Sequence, residues 1–136
     1  MLARLLSPKA ELAYSLLRIV AGAMFSFHGM QKIFGLLSTF PPPALGSQMW
    51  IGGIIELLGG LAIALGTWTR IAAFIASGEM AVAYLQFHWK LQFDANFFPT
   101  INKGELALLY SFLFLFVACK GSGLLSVDHW RKRSIR

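Results

Sequence analysis

The chain has a single cysteine, Cys119, in 136 residues. No intrachain disulfide and no dithiol pair can form. Charge is scarce as well: Asp, Glu, Lys and Arg make up 13% of the residues, where a soluble domain carries about 25%. Acid is scarcest, with six Asp and Glu against twelve Lys and Arg. A phosphate-binding glycine loop, a dinucleotide-binding glycine pattern and a Ser-His-Asp arrangement are all missing. The histidines His28, His88 and His129 fall at different levels, and Met24, Met30, Met49 and Met80 are scattered, so no metal site is expected. One domain is the default at this length, with no room for a separate soluble catalytic module.

What the chain does have is apolar length. It is 57% hydrophobic with mean hydropathy +0.63. Four apolar runs, roughly 11–37, 49–67, 71–89 and 104–119, fill it. A hydrocarbon core ~30 Å thick needs ~20 apolar residues at ~1.5 Å each, and the runs are near that length. The expected fold is therefore an all-α membrane protein, a single four-helix transmembrane domain over 1–136. The first run is read as an uncleaved helix, because Glu11 and Arg18 interrupt what would be the apolar region of a signal peptide.

The net charge of +6 sits mostly at one set of loop ends. Arg4, Lys9, Arg70, Lys120, Arg131, Lys132, Arg133 and Arg136 lie there, while the alternate loops hold Lys90 and Lys103. This asymmetry places both termini in the cytoplasm and argues against a nucleic-acid partner. Membrane lipid is the expected surrounding, and the Arg131–Arg133 run is placed to touch anionic headgroups.

The loops follow from their residues. Pro41, Pro42 and Pro43 stop the first helix. The stretch Thr67–Arg70 is a short link between antiparallel neighbours, and Gly121-Ser-Gly123 reads as a flexible exit. Residues 90–103 form an outer loop rich in aromatics, which favour the headgroup level. Asn102 with Glu105 resembles a capping box opening the fourth helix.

Each run carries a glutamate: Glu11, Glu56, Glu79 and Glu105. Charge at membrane depth costs roughly 2.5–3.5 kcal/mol per residue and marks a pathway, a ligand site or a packed network. At ~100° per residue, Glu11, Tyr14, Ser15, Arg18, Gly22, Phe25, Gly29 and Lys32 share one stripe, with His28 beside it. Glu56 shares a stripe with Gly52, Gly59, Ile63 and Gly66, and Glu79 shares one with Ala72, Ala76, Ala83 and Gln86. These carboxylates are expected to face inward, because small residues mark helix contacts. Glu56 and Glu79 lie near mid-span, with Arg18 ~9 Å toward the cytoplasmic side. A buried network of Arg18, Glu56 and Glu79 is predicted, with Arg18 paired to one of the two. A ligand site lined by His28, Gln31, Lys32 and Glu105, with Glu56 beneath and the 89–98 aromatics as a lid, is predicted at the outer end.

The stretches Phe27-His-Gly-Met-Gln-Lys-Ile-Phe-Gly35, Gly53-Ile-Ile-Glu-Leu-Leu-Gly-Gly60, Leu65-Gly-Thr-Trp-Thr-Arg70, Gly78-Glu-Met-Ala-Val-Ala-Tyr84 and Phe97–Tyr110 resemble the DoxX family of small bacterial and archaeal membrane proteins. The resemblance implies a four-helix bundle in a bacterial or archaeal cytoplasmic (inner) membrane. It implies motif positions at His28, Gln31, Lys32, Glu56, Arg70, Glu79, Asn102 and Glu105. Some relatives look like small subunits of thiosulfate:quinone oxidoreductase or quinol oxidase systems, others like partners of thiol and oxidative-stress enzymes. The single cysteine argues against direct thiol transfer here. Two readings follow. One is an accessory redox subunit, rather than a self-sufficient enzyme, that binds quinone or a similar amphiphile and works with a redox partner protein. The other is a non-redox small-molecule binder or transporter, or a scaffold recruiting partners. Homo-oligomerisation is left open by both.

Overall fold

The computed structural model describes residues 2–134, so Arg136 lies outside the described residues. Among them the structure is entirely helical, without strands. A short α1 (Leu2–Leu6) leads through a 3-10 turn into α2 (Ala10–Phe34). Next come α3 (Gln48–Ile54), a π turn (Ile55–Gly59) and α4 (Gly60–Leu65), which join into one helical rod, Gln48–Leu65. The helix α5 (Thr69–Ala83) likewise continues into a π turn (Tyr84–Trp89). After a 3-10 turn and α6 (Pro99–Asn102) come α7 (Glu105–Lys120) and α8 (Val127–Ser134).

Two helical segments, Arg4–Phe34 and Gln48–Leu65, are long and apolar enough to cross a membrane. The distribution of side chains also fits a lipid solvent. Leu16, Leu58, Phe74, Leu109 and Phe112 are exposed, while Ser15, Arg18, Ser26, Glu56, Ser77 and Ser111 are buried. A water-soluble fold would bury the first set.

The helix α2 packs along the Gln48–Leu65 rod, and α5 packs along α7. The first contact depends on glycines spaced by seven on both partners. A Cβ on Gly22 would lie 2.7 Å from the Gly60 carbonyl oxygen, and one on Gly60 would lie 2.7 Å from that of Gly22. One turn-pair further on, a Cβ on Gly29 would meet the Gly53 carbonyl oxygen at 2.7 Å. Backbone thus packs on backbone, as small residues permit in membrane helices. The contact stripe runs through Gly53 and Gly60, one residue beyond the expected Gly52 and Gly59; Gly59 has nothing within 4 Å of its Cβ position. Phe25 ties the two helix pairs together, its ring 4.8 Å from Phe114 and 5.6 Å from Tyr110.

The end that carries α1 and α8, called the base here, is laced by the tail. Tyr14 donates its hydroxyl to the Gly121 carbonyl, and Ser15 Oγ accepts from Leu124 N at 3.1 Å. Asp128 caps α5 by accepting from Trp68 N and Thr69 N, both at 3.0 Å, and from Thr69 Oγ1 at 2.9 Å. Its own N–H donates to Gly66 O at 2.9 Å. The tail is therefore docked, in contrast to the flexible exit expected from Gly121-Ser-Gly123; those glycines supply positive φ at 121 and 123 for the turn that brings it back. Cys119 is exposed and does not pack in the core.

Candidate functional site

Between the two helix pairs lies a cavity of about 670 Å³. Its walls are mostly apolar, with Phe25, Met49, Ile55, Phe74, Met80 and Phe87 among them. Six residues with ionisable side chains besides tyrosine also line it: His28, Lys32, Glu56, Glu79, His88 and Lys103.

The strongest polar contact there is an ion pair. Lys32 Nζ donates to Glu56 Oε1 at 2.6 Å, with Glu56 only 3% exposed. The sequence explains how they meet. Lys32 lies over Gly53, where a Cβ would fall 2.7 Å from the lysine Cβ. Glycine there lets the stem pass down toward Glu56, three residues further along the rod. Glu79 comes from the opposite pair: its Oε1 lies 3.0 Å from the Cβ position of Gly52. The second oxygens of Glu56 and Glu79 are buried without a hydrogen-bond partner.

Glu56 and His88 both sit in π turns. A π turn widens the helix and changes which side chains share a face, and such turns recur at functional sites. His88 Nδ1 lies 3.2 Å from the Asn102 carbonyl oxygen. Asn102 is itself fixed, donating to Asn96 O and accepting from Gly104 N at 2.7 Å. The far loop therefore holds the His88 ring in place.

The predicted Arg18–Glu56–Glu79 network does not form. Arg18 is fully buried, but its guanidinium donates to the carbonyls of Ile63, Ala64 and Leu125. Ile63 is seven residues beyond Glu56, ~10 Å along the rod. That is too far for a shared contact, and the terminal tail supplies a nearer acceptor. Gln31 and Glu105 also leave the predicted set. Gln31 donates to Leu37 O at 2.8 Å, and exposed Glu105 accepts from Thr100 Oγ1 at 3.1 Å; neither lines the cavity. The helix cap at α7 is Gly104, with Glu105 in the first helical position, so the capping box does not form. Trp89, Phe93, Phe97 and Phe98 make an edge-to-face cluster of their own but do not line the cavity.

Of the predicted site residues, His28, Lys32, Glu56 and Glu79 come together. His88 and Lys103 join them without having been singled out. A helical count at a constant angle could not place His88 on the Glu79 side, because the count assumes no π turn.

A helical membrane protein with a buried ion pair on the wall of an apolar cavity is the class these features define. The DoxX family model matches residues 13–89, and the chain belongs to that family. A Haemophilus influenzae protein named "Uncharacterized protein" is 44% identical over 116 residues, covering 83% of this chain and 86% of the relative. A Bacillus subtilis protein named "Putative oxidoreductase CatD" is 29% identical over 122 residues, covering 87% and 86%. No solved structure matches the chain significantly.

Proposed function

We propose that the chain is an accessory subunit of a membrane redox system that holds a quinone, or an amphiphile of similar shape, in this cavity. The observation that carries the reading is the Lys32–Glu56 pair, buried on the wall of an otherwise apolar space of about 670 Å³. An aromatic ring with polar ends suits such walls, since ligand pockets combine apolar lining with few polar groups. Lys32 and His28 are donors of the kind a quinone carbonyl takes, and Glu56 and Glu79 are groups able to pass protons. The name of the Bacillus subtilis relative adds a link to redox chemistry. Electrons come from a partner protein in this reading, which makes the chain a subunit rather than a complete enzyme.

The proposed setting is a bacterial or archaeal cytoplasmic membrane, crossed four times with both termini cytoplasmic. Arg4, Lys9, Arg70, Lys120 and Arg131–Arg133 gather toward the base, against Lys90 and Lys103 at the far loops, in keeping with the positive-inside bias. Single cysteines at Ser47 and Asn96, in a Cys119→Ala background, are expected to react with an impermeant thiol reagent added outside. Labelling from the cytoplasmic face instead would overturn the orientation.

The ligand reading is tested by organic extraction of the purified full-length protein, read by absorbance and mass spectrometry. The expected result is a co-purifying quinone that is lost on Phe74→Trp substitution, which fills the cavity from its wall. Quinone content no higher than in an unrelated membrane protein from the same cells would overturn it.

A further inference from the structure

The cavity's unsatisfied polar atoms are acceptors, and that bears on which redox form of a ligand it holds. Oε2 of Glu56 and Oε2 of Glu79 are buried with no hydrogen-bond partner, and both residues line the cavity. On the donor side, the Lys32 ammonium already gives one N–H to Glu56.

We propose that the cavity recognises a dihydroxy aromatic head, the reduced form of a quinone-like ligand, in preference to the dione; this rests on the ligand reading above. Two hydroxyls supply the donors that Glu56 and Glu79 lack. The two carboxyl groups are suitably arranged, since Glu79 lies over Gly52, one helical turn from Glu56, ~5–6 Å on the same face. A dione would instead take its hydrogen bonds from Lys32 and His28 and leave the free oxygens of Glu56 and Glu79 without donors. A cationic head suits the site less well, because the Lys32 ammonium already occupies one side of Glu56 and repels a second cation. The ring itself fits against Phe25, Phe74, Phe87 and Met80. No electron transfer is needed for this preference; it is a difference in binding alone.

The test is an anaerobic titration of the full-length protein in lipid nanodiscs with three probes. These are a short-chain 1,4-hydroquinone, the corresponding 1,4-benzoquinone and the hydroquinone's dimethyl ether, which has no donor. Hydrogen bonds to charged groups set the expected scale: the hydroquinone should bind about tenfold or more tighter than either other probe. A tenfold preference raises the bound couple's two-electron midpoint potential by about 30 mV. Glu79→Gln should shrink the preference, weakening hydroquinone binding more than benzoquinone binding. Gly52→Ala, which pushes a methyl group toward Glu79, should shrink it in a helix whose charges are all intact. Equal or tighter binding of the benzoquinone by the unaltered protein overturns the preference and leaves the ligand reading standing. Binding of none of the three overturns both.

Discussion

At the base, Arg18 gives its guanidinium to three main-chain carbonyls, Ile63, Ala64 and Leu125. In the cavity, Lys32 gives its ammonium to a carboxylate, Glu56, whose second oxygen is left without a partner. Both cations lie on the same face of α2, fourteen residues apart. The base is a closed device: a terminal tail folds back, and each polar group that holds it meets backbone. The cavity is an open one: its charges meet each other incompletely and face space that a ligand could fill. Buried polar groups left unsatisfied are costly. At the base Arg18 bonds through both terminal nitrogens and leaves its Nε unpaired, whereas in the cavity Glu56 and Glu79 each keep a bare oxygen on the wall of a space a ligand could fill. That placement separates the part that holds the fold from the part available for chemistry.

The largest expected effect comes from breaking the ion pair from its cationic side. Lys32→Met strands a Glu56 that is only 3% exposed, which costs roughly 3–5 kcal/mol when a buried charge loses its partner. Adding Glu56→Gln should recover most of that loss, since the stranded charge is removed with it. Unfolding in mixed micelles, followed by circular dichroism, measures both variants. If the double variant were no more stable than Lys32→Met, the pair would not be the element that organises the cavity.

Arg18→Leu should come next, at about 3 kcal/mol, for the hydrogen bonds from a charged donor that it removes. The comparison is sharpened by what should fail to rescue it. Glu56→Gln or Glu79→Gln, added singly, should leave the Arg18→Leu penalty unchanged to within about 0.5 kcal/mol, as independent sites do. Rescue by either would restore the network that the helical face of α2 suggests.

The sequence made the face legible but not the depth. The stripe Tyr14, Ser15, Arg18, Gly22, Phe25 and Gly29 is the buried side of α2, because the 3.6-residue repeat fixes direction. Pairing Arg18 with Glu56 required axial position as well, and depth counted from span midpoints carries an error of a helical turn or more. That error is as long as an arginine side chain. Glu56 and Glu79 were found because charge inside an apolar run is conspicuous. His88 was hidden by the π turn at Tyr84–Trp89, and Asp128 by chain separation. It lies 59 residues from the Thr69 amide that it caps, and no local pattern records such a contact. Gln31 and Glu105 were placed by proximity along the chain or level alone, and each instead finds a partner in an adjoining loop.

The smallest expected effect concerns Asp128, which belongs wholly to the base. Burial works to raise its pKa, but hydrogen bonds from Thr69 N, Thr69 Oγ1 and Trp68 N outweigh it and hold the carboxyl below its ordinary value of 3.8. A group whose folded pKa is depressed contributes stability that is present above the unfolded value and lost as pH falls through the folded one. The Asp128 contribution should therefore be intact at neutral pH and fade below about pH 4. Asp128→Asn keeps one oxygen acceptor but not the charge, so it should cost about 1 kcal/mol at pH 7, the usual scale of a helix cap. Thermal unfolding of both proteins from pH 7 to pH 3 should show the gap between them closing as the native carboxyl is protonated. The Lys32–Glu56 pair is present in both proteins and cancels from that difference. A gap that stayed constant down to pH 3 would mean that the charge of Asp128 contributes nothing to holding the tail against α5, and that its side-chain shape alone makes the cap.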